Sequence, residues 1–139
     1  MNVILSIKPQ FVEEIVAGRK LYEFRKQSFK QPVSKIYIYA TSPICRIVGE
    51  FRLGKVIEGE PEEIWSETYS FSGISKDYFD LYFSHSQKGY AIEIKCFKKY
   101  VNPINPYKLI RHFKAPQSFC YIDNLSRLEK NKELEIEFE

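Results

Sequence analysis

Residues 46–57 read Arg-Ile-Val-Gly-Glu-Phe-Arg-Leu-Gly-Lys-Val-Ile, a long stretch rich in β-branched and aromatic residues that is interrupted by Gly49 and Gly54. A strand of this length with glycines inside it bulges or bends where the side chain is missing, and that is the device that curls a sheet into a barrel. This feature constrains the rest of the chain more than any other, because a curled sheet needs further strands to wrap around it.

Those strands are legible. Residues 2–8 carry Val3, Leu5 and Ile7 with Ile4 in an apolar run that ends at Pro9, the signature of a buried strand. Residues 21–26 alternate, with Leu21, Glu23 and Arg25 facing one way and Tyr22, Phe24 and Lys26 the other. That pattern predicts a half-buried strand with aromatic bulk on one side and charge on the other. Residues 35–40 alternate again and close at Thr41-Ser42-Pro43, and residues 89–100 form the next strand. Pro103 and Pro106 are expected to break regular structure beyond that strand. The alternation of Leu134, Ile136 and Phe138 with glutamates predicts a terminal strand over 132–138.

Helical spacing is confined to short pieces. Phe11, Val12, Ile15 and Val16 share one face between Pro9, which suits a first turn, and Gly18, which stops the helix. Residues 60–69 begin with Pro61, Glu62 and Glu63, and residues 75–83 open with Ser75 as an N-cap. Helical turns are expected over 107–113 and 116–122. The order predicts an α+β fold with a curled, mainly antiparallel sheet, an N-terminal helix and short inserted helices. No repeat or linker divides the 139 residues, so one domain over 1–139 is expected.

Composition narrows the function classes. Apolar residues make up 44%, which is ample for a packed core. The formal charge of +3 is too small for a protein that coats a duplex, so a nucleic-acid contact would be local. Cys45, Cys96 and Cys120 are scattered and odd in number and stand in apolar surroundings, as expected of buried, reduced thiols in a cytoplasmic protein. Residues 1–7 are too short and too weakly apolar for a signal peptide, and no apolar run approaches a membrane span. His85 and His112 have no partners at metal-ligand spacing. No metal, cofactor or membrane association is implied.

The segment Gly18-Arg19-Lys20-Leu21-Tyr22-Glu23-Phe24-Arg25 holds the chemistry. Helix end, glycine and strand start turn a tight corner, which puts Glu23 and Arg25 on one face with Lys20 at the bend. Arg offers a planar donor fork for phosphate or a base edge, and Lys a point charge. Glu can accept from a base amino group or act as a general base. On spacing alone, an exposed cross-strand ion pair is the simpler explanation.

A resemblance bears on that choice. Leu5-Ser6-Ile7-Lys8-Pro9, Gly18-x-Lys20-x-x-Glu23-x-Arg25, Tyr39-Ala40-Thr41-Ser42-Pro43, Ile47-Val48-Gly49-Glu50-Phe51 and Ala115-Pro116-Gln117-Ser118-Phe119 resemble, in order, the ASCH family. They look most like its bacterial and archaeal members described as PUA-like predicted transcriptional regulators. The resemblance implies a PUA-like β-barrel with a small basic cleft around Lys20, Glu23 and Arg25. It implies RNA or a nucleotide-like small molecule as the partner.

Some relatives are amidohydrolases of acylated cytidine, and at least one branch is a ribonuclease. Lys20 matches the lysine proposed as catalytic in the amidohydrolases, and their threonine three positions on falls on Glu23, so a hydroxyl is replaced by a carboxylate. Glu63 and Glu67 are candidates for their further glutamate. Related regulators often carry an extra DNA-binding helical domain, and with none expected here direct transcription control is not implied.

The leading expectation is thus an RNA- or nucleotide-binding module whose ligand meets Lys8, Lys20, Glu23, Arg25, Ser42, Gln117 and Ser118. The alternative is a hydrolase of RNA or a modified nucleoside, with Lys20 assisting nucleophile activation and Glu23 as general base. Ser42 fits a plain turn equally well, and Lys8 a solvated strand end. Gln117 and Ser118 would sit at a helix start with free N–H groups. Trp65 and Tyr69, at i and i+4, could wall a base site, although such pairs are more often core. Tyr78, Phe79, Tyr82 and Phe83 also read as core. A basic run at Lys95, Lys98 and Lys99 reads as a solvated strand end more readily than as a phosphate track.

Overall fold

A computed structural model describes residues 1–122. Their order is β1 (Asn2–Ile7), α1 (Pro9–Val16), β2 (Tyr22–Arg25), β3 (Lys35–Ala40), β4 (Arg46–Gly59), α2 (Pro61–Thr68), a 3₁₀ turn (Tyr69–Phe71), α3 (Lys76–Tyr82), β5 (Gly89–Ile104), α4 (Pro106–Leu109) and β6 (Phe119–Ile122). The strands form one sheet in the order β2-β5-β4-β3-β1-β6. Every neighbouring pair is antiparallel except β1 with β3. The sheet curls into a half-barrel.

The curl arises in β4, as its glycines require. Its pairing slips against β5 between Ile47 and Gly49, between Glu50 and Arg52, and between Leu53 and Val56. Each slip adds local twist. The apolar run in β1 makes it a strand buried on both faces. Val3, Leu5 and Ile7 pack with Val12 and Ile15 of α1 and with Ile36, Ile38 and Phe51. Ile4 points the other way, onto Tyr37, Tyr39, Ile47, Tyr100 and Ile104. A third cluster, Phe24, Ile64, Phe79, Phe83 and Ala91, seats α2 and α3 on β2 and β5. Ser75 caps α3 as its sequence requires, its hydroxyl oxygen accepting from the Tyr78 N–H at 3.1 Å.

Four expectations are corrected. Residues 116–122 are not helical: β6 pairs with β1 from Asn2↔Ile122 to Leu5↔Phe119, because the outer edge of β1 is open and a strand satisfies it. Pro103 does not end β5, which runs on to Ile104. β2 pairs with β5 only from Tyr90 to Glu93, so beyond that point β5 is an edge, where a missing N–H is tolerated. β2 is not half-exposed on its charged side, since Glu23 is as buried as Phe24. Nor are the thiols buried as expected, since Cys96 is exposed on β5 and Cys45 and Cys120 are half-buried. The strand expected over 132–138 lies outside the described residues.

Candidate functional site

The corner after α1 is fixed on both sides. Gly18 takes φ +79°, and the amides of Arg19 and Lys20 donate to the Glu14 carbonyl. Leu21 N–H donates to Phe71 O at 2.8 Å, and Leu21 O accepts from the Ile94 N–H at 2.9 Å. Lys20 therefore has no freedom to swing out, and its side chain is driven inward to 1% exposure.

Inside, three charges meet. Lys20 Nζ lies 3.4 Å from Glu23 Oε1 and donates to Ser72 O at 2.9 Å. Arg25 donates through Nη2 to Glu23 Oε2 at 2.6 Å and to the Ser6 carbonyl at 2.6 Å, and through Nη1 to Ser118 Oγ at 3.1 Å. Ser6 is in β1 and Ser118 precedes β6, whereas Arg25 is in β2 at the opposite edge of the sheet. The guanidinium thus bridges the two edges where the half-barrel's curl brings them together. Its Nε–H is buried without an acceptor among the described residues, an arrangement that costs free energy unless something else supplies one.

Burial governs the electrostatics. Burial pushes the Lys20 pKa down, and the neighbouring Glu23 carboxylate only partly opposes that. Burial pushes Glu23 up, but the Arg25 and Lys20 cations outweigh it and hold the carboxyl below the usual range. The Lys20 ammonium is also 4.8 Å from the Phe24 ring centroid and 5.5 Å from that of Phe11.

A hollow of about 320 Å³ opens over this trio. Lys20, Glu23 and Arg25 form its charged part, and Lys8, Gln117 and Ser118 line it as well, with Thr41 and Ser6. Phe11, Tyr78 and Tyr82 give it an aromatic wall. Lys8 Nζ donates to Tyr78 OH at 3.2 Å, and the Lys26 ammonium stands 5.0 Å from the Tyr82 centroid. Three cations (Lys8, Lys20, Arg25) thus share the hollow with one carboxylate (Glu23), so it favours an anion.

Six of the seven expected residues come together here, and Ser42 does not. It is exposed on the turn, and its neighbour Thr41 lines the hollow instead. Gln117 and Ser118 arrive from an extended lead into β6 rather than a helix start, with Ser118 O accepting from the Ser6 N–H at 2.9 Å. Glu63 and Glu67 are exposed on α2 and line no part of it. Trp65 packs on Phe79, with ring centroids 4.8 Å apart, so its role is core.

Tyr78 and Tyr82 qualify the core reading of α3, since both line the hollow while Tyr82 also packs against the buried cluster of Phe79 and Phe83. The helix carries two i, i+4 pairs: Phe79 and Phe83 are buried, and the two tyrosines face the hollow. The signal was available, since a tyrosine needs a partner for its hydroxyl and therefore suits the wet face. Among the described residues no group of three or more His, Cys, Asp or Glu is placed to hold a metal ion.

Comparison with known proteins adds to this geometry. The ASCH domain family matches residues 5–116. A Zymomonas mobilis protein named ASCH domain-containing ribonuclease is 30% identical over 125 residues, which is 87% of this chain and 84% of that protein. The crystal structure of ASCH from Zymomonas mobilis has the same fold, with a TM-score of 0.84 and 25% identity over 97% of this chain and 94% of that one. Large ribosomal subunit protein uL22 of Ureaplasma parvum is 34% identical over 124 residues, which is 87% of this chain and 39% of that protein.

Proposed function

The chain belongs to the ASCH domain family, and from that premise we propose that it binds RNA, taking one nucleotide into the hollow at the sheet seam. The phosphate meets Lys8 and Arg25, and the base lies against Tyr78 and Tyr82. One observation carries this reading: an aromatic-walled hollow of about 320 Å³ in which three cations face a single carboxylate. Ligand sites generally start near ~300 Å³, so this one suits a single nucleotide and not a duplex. The net charge of only +3 agrees with a local contact.

The hydrogen bonds set the division of labour. Glu23 spends both oxygens on Lys20 and Arg25, so it fixes the cations and leaves recognition to them. Arg25 is held by Ser6 and Glu23, which lowers the ordering cost of binding. Lys8, exposed on the rim and bonded only once, to Tyr78 OH among the described residues, has donors left for a phosphate. The name of one relative covered over most of its length, a ribonuclease, supports RNA as the class of partner.

A second reading, cleavage of RNA, is favoured by the ribonuclease name of a relative that the match covers over 84% of its length. In that reading Lys20 and Arg25 stabilise charge gathering on the phosphorus oxygens. Glu23, held below the ordinary carboxylate range, is a weak base and keeps the cations in place.

The test is fluorescence anisotropy with a short single-stranded RNA. Lys8→Ala, at an exposed site, should fold normally, bind more weakly and lower the slope of log affinity against log salt by about one. Arg25→Ala should bind weakest. Wild-type affinity in both variants would overturn the proposal. Incubating the protein with small RNAs and with acylated cytidine separates the two readings: cleavage lost in Arg25→Ala establishes a hydrolase, and binding without turnover leaves the module.

A further inference from the structure

The seam hollow adjoins a second one of about 600 Å³, and Phe11, Ile74 and Tyr78 line both. Its other side is formed by the 3₁₀ turn, where Tyr69 and Phe71 are 60% and 49% exposed. Among the described residues, the charged ones lining it are Glu14 and Arg19, which are bonded to each other at 2.6 Å, so this part of the hollow is electrically balanced. The seam hollow, by contrast, is net positive. A nucleic-acid strand presents the complementary sequence of surfaces: a flat uncharged base, then an anionic phosphate, then another base.

The two hollows are also mechanically tied. Phe71 O accepts from the Leu21 N–H, and Ser72 O accepts from the buried Lys20 ammonium, so the turn bearing the two aromatic rings is anchored to the charged trio itself. A stacking platform held in register with a phosphate site is what recognition of a strand, as opposed to a free nucleotide, requires.

Resting on the RNA-binding reading above, we propose that the second hollow takes the neighbouring base of the same strand, stacked on Tyr69 and Phe71. The ligand is then single-stranded RNA of two or more nucleotides. The test compares wild type, Tyr69→Ala/Phe71→Ala and Lys8→Ala against a mononucleotide and a single-stranded hexanucleotide RNA. Both aromatic positions are exposed and bond through their backbones, so the double variant should keep the wild-type fold, checked by circular dichroism.

The double variant should bind the hexanucleotide roughly 5- to 100-fold more weakly while its mononucleotide affinity is unchanged, and Lys8→Ala should weaken both ligands. Wild-type hexanucleotide affinity in the double variant sinks this proposal and leaves the seam site standing, with the two rings then free for another role such as a protein contact. If wild type binds neither ligand, the seam site itself fails and the second hollow fails with it.

Discussion

Two three-charge clusters in this protein have similar distances and very different surroundings. At the β2 corner, Lys20, Glu23 and Arg25 are 1%, 9% and 11% exposed by side chain, and their ion pairs span 3.4 and 2.6 Å. On α2 and α3, Lys76, Glu62 and Asp80 are 38%, 76% and 50% exposed, with pairs of 2.9 and 2.6 Å. Both lysines stand beside carboxylates, yet their pKa values move in opposite directions. Lys76 is raised, chiefly by its hydrogen bond to Asp80, whereas Lys20 is lowered because burial outweighs Glu23. Contact distance does not separate the clusters; the loss of water does. Only the buried one of these two clusters has its charges shielded from water.

The most severe way to break the buried cluster is Glu23→Gln, which leaves two buried cations without their shared carboxylate. We expect a loss of about 3–5 kcal/mol in urea denaturation at neutral pH. The pH dependence has a definite sign. The folded pKa of Glu23 lies below its unfolded value, so its contribution is present above the ordinary carboxylate range and fades as pH falls through the folded value. The gap between wild type and Glu23→Gln should therefore narrow on acidification, and a constant gap would refute the assigned charge state.

Gly73→Ala should come next. Gly73 has φ +64°, and a Cβ there would sit 2.4 Å from Lys20 Cβ. Strain and overlap together should cost roughly 2–3 kcal/mol, with RNA affinity falling as Lys20 is displaced. A fully stable, fully binding variant would show that the Lys20 position is not fixed from that side. The smallest effect sharpens the contrast: Lys76→Ala should leave the thermal midpoint and RNA binding unchanged, because its partners are already solvated. A clear loss of stability there would mean that exposure is not what distinguishes the clusters.

Much of the architecture was legible because it is written in neighbours along the chain. The alternation over Lys35–Ala40, the apolar spacing on α1, the Gly18 stop and the Ser75 cap each act within a few residues. The segments that misled are those whose partner is remote. Residues 119–122 became a strand only because β1 offered an open edge, and Pro103 was tolerated only because no β2 residue stands opposite. In the site, Thr41 replaced Ser42, and Tyr78 and Tyr82 line the hollow, Tyr82 while also packing on the core, because the packing of each element decided which side faced the seam.

Short-range sterics and solvation set the strand and helix periods, the bends that the glycines allow in β4, and the Lys-Glu-Arg spacing at the corner, so all of these can be read from neighbouring residues. That this corner is buried follows from remote contacts, because Lys20 is held by Ser72 and Arg25 by Ser6 and Ser118, which lie 52, 19 and 93 positions away along the chain. Whether a charge pair is solvated or buried is set by what closes over it, and here that is the 3₁₀ turn against Lys20 and the opposite edge of the same sheet against Arg25.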